Sequence, residues 1–227
     1  MSLTLHYHPL ASFCWKALIA LYENDTPFER VIVDLADPVS RNAFYALWPI
    51  GKMPVLHDGA SGETVGESSI VVEYLETHYP GRASLLPADK DRARETRFWD
   101  RVYDTYVHEP MQKTVLDRLR PEGKGDLFGV EAAKAQLGKT YRFLEASLDG
   151  KRWAAGEDFT LADCAASPAL FYASIVVPFD STQKNLSAYF DRLTVRPSFA
   201  RVLEEAEPYF KFFPMETKPQ IRREGAS

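Results

Sequence analysis

The feature that most constrains this chain is a change of rhythm near Leu85. Before it, strand-like and helix-like stretches alternate; after it, strand signals stop. "LTLHY" (Leu3–Tyr7) alternates apolar and polar residues and halts at His8-Pro9. A helix follows from about Phe13, with Ala17, Leu18, Leu21 and Tyr22 at helical spacing, until Asn24-Asp25-Thr26-Pro27 breaks it. "FERVIV" (Phe28–Val33) is the next strand, and a crossover of this length predicts a parallel pair. Then come a helix from Ser40 to about Trp48, a hairpin over Pro54–Val65 and a helix over Glu67–Tyr79. The order is βαβαββα.

Leu85-Leu86-Pro87-Ala88 reads as a connector. Beyond it, Lys90–Glu109, Glu131–Leu148, Thr160–Ser174, Asn185–Thr194 and Pro197–Glu207 are helix-like, with breaks at Pro110, Gly150, Pro178 and Arg196-Pro197. The expected organisation is an α/β domain over residues 1–82, a linker over 83–89 and an all-helical domain over 90–227. Such a pair offers a cleft between domains, where ligands often bind.

Charge and cysteine usage narrow the function. Acidic residues outnumber basic ones, 32 to 27, and Lys90–Arg97 alternates in sign, so no nucleic-acid partner is expected. No leader pattern precedes "LTLHY" and no apolar run approaches membrane-spanning length, so no membrane partner is expected either. Cys14 and Cys164 form no pair motif, which predicts a reducing, cytoplasmic setting. The five histidines lack metal-ligand spacing, and no metal is expected.

Three stretches carry chemistry. In "GKMPVL" (Gly51–Leu56), Pro54 enters a hairpin strand where it cannot donate to the ladder. It is either a plain edge-strand proline or the mark of a cis Met53-Pro54 bond. A cis bond would turn the Met53 backbone outward to pair with a peptide-like ligand. In "GESSI" (Gly66–Ile70), Ser68 and nearby N–H groups at a helix start suit a carboxylate, and Glu67 suits an ammonium. The alternative is a capping serine with a favourably placed acid. In "DFTLADCAASP" (Asp158–Pro168), Thr160 and Asp163 have the spacing of a capping box that nucleates a buried helix.

The order and spacing of these signals, on a thioredoxin-like α/β domain joined to a helical domain, resembles the cytosolic glutathione transferase superfamily. The resemblance spans nearly the whole chain, and "RPSFARVLEE" (Arg196–Glu205) is similar to the last helices of that fold. Within the superfamily the chain looks bacterial, and closer to serine/cysteine-type than to tyrosine-type members. The resemblance implies glutathione as co-substrate, with the Met53 backbone on its cysteinyl part and Pro54 cis. It also implies Glu67 and Ser68 on the γ-glutamyl end, and Lys52 near the glycyl carboxylate. The implied activity is conjugation to small hydrophobic electrophiles. Alternatives on the same site are peroxidase or disulfide-reductase work, or binding without catalysis. A homodimer through the third and fourth helices is implied as well.

These enzymes stabilise a thiolate with a hydroxyl and a helix N-terminus. Serine-type relatives place the hydroxyl three positions before the residue matching Cys14, and that slot here is Ala11. Ser12 is the first candidate to replace it. Tyr7, at the end of the first strand, is the second, and backbone N–H groups can share the task. Cys14, reactive only if exposed, is the third; as a small buried hydrophobe it would be inert. Trp15 reads as helix-face packing and Lys16 as a solvated charge. For the acceptor site, aromatic residues at helical spacing and in "EPYFKFFPM" (Glu207–Met215) nominate Tyr103, Tyr106 and Phe213. "KPQIRREGAS" (Lys218–Ser227) reads as a mobile tail.

Overall fold

The computed structural model describes residues 3–221. β1 (Leu3–Tyr7) turns its alternate residues Leu3, Leu5 and Tyr7 inward, as period-two spacing requires. α1 (Ser12–Glu23) crosses to β2 (Glu29–Ile32), which pairs parallel to β1 and forms one sheet edge. α2 (Pro38–Leu47) follows, then the antiparallel strands β3 (Val55–Asp58) and β4 (Glu63–Gly66). The sheet order is β2-β1-β3-β4, with β1 antiparallel to β3. α3 (Ser68–His78) completes the βαβαββα order expected for a thioredoxin-like domain.

The remainder is helical: α4 (Lys90–Val102), α5 (Glu109–Asp117), α6 (Leu127–Ser147), α7 (Leu161–Val176), α8 (Lys184–Thr194) and α9 (Pro197–Ala206), with a 3₁₀ segment over Glu207–Phe212. The Thr160–Asp163 capping box forms at the start of α7, where Asp163 Oδ2 accepts the Thr160 N–H at 2.9 Å. The connector is anchored rather than loose, since Leu85 is buried and its carbonyl accepts the Leu161 N–H at 2.8 Å.

α1 is apolar almost all round because it lies between the sheet side and the helical layer, packed on α3, α7 and α9. Trp15 fits the packing expectation; its ring lies 4.8 Å from that of Tyr172, and its indole N–H donates to the Pro9 carbonyl at 2.6 Å. One continuous apolar core thus runs from Leu5 through Trp15 to Leu170.

Pro110 does not end its helix. A π-helical turn over Tyr103–His108 joins α4 to α5, and the helix runs on to Asp117. Pro110 has no N–H for the carbonyl four residues back, that of Tyr106. The Thr140 hydroxyl of α6 lies 3.1 Å from that carbonyl and can donate to it in place of the missing N–H, sharing its proton with the Gln136 carbonyl at 3.0 Å. The wider turn also shifts which residues share a face. The face that begins at Tyr103 continues at Val107 and His108, both buried, while Tyr106 turns outward and is 50% exposed.

The expectation of a mobile tail does not hold within the described residues. Lys218 Nζ donates to the Phe213 carbonyl at 2.6 Å, and Ile221 packs on the core. Residues 222–227 lie outside the described residues.

Candidate active-site cleft

A cleft of about 720 Å³ opens between the α/β wall and the helical wall. The α/β wall contributes Ala11, Ser12, Phe13, Lys52, Met53, Pro54, Glu67 and Ser68. The fold gathers Ser12, Lys52, Met53, Pro54, Glu67 and Ser68, all nominated from the sequence, into one cavity. The Met53-Pro54 peptide is cis.

Two helices begin at this cavity. α3 starts at Ser68, so its cap is Glu67 and not the serine, which corrects the capping reading of Ser68. Glu67 sits at φ 62°, in the left-handed region, with no side-chain hydrogen bond to the helix start. Such a conformation costs a side-chain-bearing residue about 1–3 kcal/mol and is typical of functional turns. Gly66 before it is pressed against Trp48; a Cβ there would lie 2.3 Å from the indole ring. α1 starts after Ala11, likewise without a side-chain cap, so its positive end faces the cleft beside Ser12.

Ser12 Oγ lies 2.8 Å from Nε2 of His108, which reaches it from the π-helical turn. The imidazole stacks on the Phe13 ring with centroids 3.8 Å apart, and is 1% exposed. Burial, aided by the nearby Lys16 charge, lowers its pKa to about 3, so the ring is neutral at physiological pH.

Lys16 is not a solvated charge. It is fully buried, with Nζ 2.5 Å from Asp100 and 2.8 Å from Asp104, and it donates to Ser69 Oγ at 2.9 Å. Arg101 contacts both aspartates from the cleft side. Two cations against two carboxylates make a balanced pin between α1 and the helical wall, set against the cleft end that holds Glu67 and Ser68.

Other candidates are placed elsewhere. Tyr7 is buried in the sheet core and does not line the cleft, and burial raises its hydroxyl pKa. Cys14 is fully buried, and desolvation pushes its thiol up to about 12, so it is the inert hydrophobe of the two readings. Of the three acceptor candidates, Phe213 lines the cleft and stacks on Tyr172. Tyr103 does not, because it is buried in the helical core against Trp99 and Tyr189. Tyr106 does not either, having been turned outward by the π-helical turn.

The helical wall is formed instead by Arg101, Asp104, His108, Met111, Gln112, Val115, Leu116 and Leu119. Reading Pro110 as a stop hid α5. The signal was present, since Met111, Val115 and Leu119 recur at intervals of four, an apolar helical stripe. Among the described residues no group of three or more His, Cys, Asp or Glu side chains is arranged to hold a metal, and no helix is long and apolar enough to cross a membrane.

Comparison with known proteins decides the lineage. Residues 5–83 match the family described as "Glutathione S-transferase, N-terminal domain", and residues 113–197 the "Glutathione S-transferase, C-terminal domain". Glutathione S-transferase 3 of Zea mays is 31% identical over 209 residues, 88% of this chain and 93% of the maize protein. The chain belongs to the glutathione S-transferase family. A glutathione S-transferase of Methylobacillus flagellatus, solved with glutathione bound, superposes with a TM-score of 0.79 at 29% identity, over 88% of this chain and 98% of that one. One from Methylobacterium radiotolerans, in complex with glutathione sulfonate, gives 0.74 at 29% identity, over 89% and 94%. Glutathione S-transferase GstB of Escherichia coli is 25% identical over 191 residues, 83% of this chain and 91% of GstB.

Proposed function

We propose that this protein is a glutathione transferase that binds glutathione in the cleft, stabilises its thiolate and conjugates it to small hydrophobic electrophiles. The carrying observation is that one cavity holds the strained Glu67, the free helix start at Ser68, the cis Met53-Pro54 unit and the uncapped start of α1. In this reading Glu67 takes the γ-glutamyl ammonium. Ser68 and the first N–H groups of α3 take its carboxylate. The Met53 backbone pairs with the cysteinyl unit, and Lys52 attends the glycyl carboxylate. Ser12 and the start of α1 then face the sulfur, the arrangement of a serine-type member.

The acceptor enters against Met111, Val115, Leu116, Leu119 and Phe213, an aliphatic wall with one aromatic ring. Burial of Cys14 supports conjugation over a mixed-disulfide route through the protein's own thiol. Ile70 on α3 and Phe98 on α4 are exposed, as a two-fold contact through those helices would use. Two buried, unpaired cysteines suit a reducing, cytoplasmic working compartment.

Calorimetry with millimolar glutathione tests the binding step. Heat of binding that falls at least tenfold in affinity in Glu67→Gln and Ser68→Ala supports the reading; no heat with the wild type overturns it. A chloronitrobenzene assay beside a hydroxyethyl-disulfide assay then separates conjugation from reduction, and binding without turnover in either marks a non-catalytic binder.

A further inference from the structure

Ser12 and His108 are 96 residues apart and come from opposite walls, yet their side chains meet at 2.8 Å inside the cleft. A serine hydroxyl has one proton to donate and two lone pairs to accept with. Ser12 stabilises a thiolate only if that single proton points at the sulfur. The neutral imidazole also carries one proton, on either Nδ1 or Nε2. If it is on Nδ1, Nε2 accepts from Ser12 and the sulfur receives nothing from the hydroxyl. If it is on Nε2, the imidazole donates to Oγ and the serine proton is released toward the cleft.

A histidine beside a serine invites the alternative of a general base. That role requires the ring to hold a proton between steps. The 1% exposure of His108 and the nearby Lys16 ammonium oppose this, and lower the ring pKa to about 3. The glutathione thiol proton therefore leaves to solvent through the open cleft. His108 is also held still, stacked on Phe13 and 1% exposed, as a residue that orients a hydroxyl must be.

We propose that His108 is a positioning residue: it donates its Nε2–H to Ser12 Oγ and so turns the Ser12 hydroxyl proton onto the sulfur of bound glutathione. A negative sulfur at that point selects this tautomer, because a charged acceptor makes the stronger hydrogen bond. The arrangement gives a helix start whose usual slot is Ala11 a hydroxyl of fixed direction. It rests on the reading of Ser12 as the thiolate donor.

The test uses the whole protein with glutathione itself. The pKa of the bound thiol is read from thiolate ultraviolet absorbance in wild type, His108→Phe, His108→Gln, Ser12→Ala and the Ser12→Ala/His108→Phe double variant. Phe keeps the stack on Phe13 without a hydrogen bond, and Gln supplies an N–H donor should the Phe variant not fold. The expected result is a thiol pKa about one unit higher in His108→Phe, roughly tenfold less thiolate below the titration. Calorimetric affinity for glutathione, measured below the titration of the bound thiol, stays within about twofold, as the head-group contacts are untouched. Gln restores most of the shift, Ser12→Ala raises the pKa similarly, and the double variant equals Ser12→Ala alone. A shift in Ser12→Ala but none in His108→Phe leaves Ser12 acting unaided and overturns the inference while the Ser12 reading survives. A His108→Phe shift that persists in the Ser12→Ala background means direct action on the sulfur and overturns it too. No shift in Ser12→Ala removes the reading of Ser12, and the inference with it.

Discussion

The two walls of the cleft are built by different means. The α/β wall presents turns and helix starts: the Met53-Pro54 peptide, the left-handed Glu67 and the ends of α1 and α3. The helical wall presents side chains whose direction is set by packing: Arg101, Asp104, His108 and the α5 stripe. The first is encoded within a few consecutive residues; the second exists only once α4, α6 and α1 have packed. One wall is local and rigid, and the other can be redrawn by changing side chains alone.

The sharpest way to break this comparison is to remove the pin that joins the walls. Among the described residues, Lys16→Ala leaves the buried Asp100 and Asp104 with Arg101 as their ion-pair partner. Loss of one partner of a buried pair typically costs about 3–5 kcal/mol. Urea denaturation should show a loss in that range, and a change below about 1 kcal/mol would mean that Lys16 holds nothing together.

Next in size is a pH effect on the helical wall. The His108 pKa falls from the ordinary 6.5 to about 3 in the folded protein. Between those values the unfolded chain binds the proton that the folded one refuses, so stability falls as pH falls below about 6.5. From pH 7 to pH 5 this group alone removes about 1–2 kcal/mol. The urea midpoint of His108→Phe should accordingly lose less over that interval than that of the wild type; identical slopes would contradict the buried neutral ring.

Thr140→Val probes the π-helical turn. It removes the hydroxyl that serves the Tyr106 carbonyl, at an expected cost of about 1–2 kcal/mol. Acceptor KM should change while glutathione affinity does not, because only the helical wall depends on that turn. The smallest effect is expected for Leu116→Ala, at the half-exposed rim. Acceptor KM should rise about threefold with glutathione KM unchanged, in line with about 0.8 kcal/mol per buried methylene. A parallel rise in both constants would mean that the walls do not divide the substrates.

The same division explains what could be read from the sequence. The strands, the hairpin and the capping box at Thr160 follow from neighbouring residues, and turn chemistry and periodicity reveal them; the roles given to Lys52, Met53, Glu67 and Ser68 came from the family resemblance. Lys16 was misread because its partners lie 84 and 88 positions away, and a lone lysine on an apolar helix carries no local sign of them. Tyr103 and Tyr106 were put on one face because an α-helical period was assumed where the helix widens. Pro110 read as a terminus because the hydroxyl that serves the Tyr106 carbonyl comes from Thr140, on another helix. His108, which touches Ser12, was hidden for the same reason.

The most direct measurement is the titration of glutathione's thiol on the wild-type protein, followed by thiolate absorbance at saturating protein. A cleft that grips the tripeptide by its head and presents its sulfur to the start of α1 lowers that pKa by at least one unit from the free thiol's about 8.5. An unshifted titration, or none because the tripeptide does not bind, would contradict it.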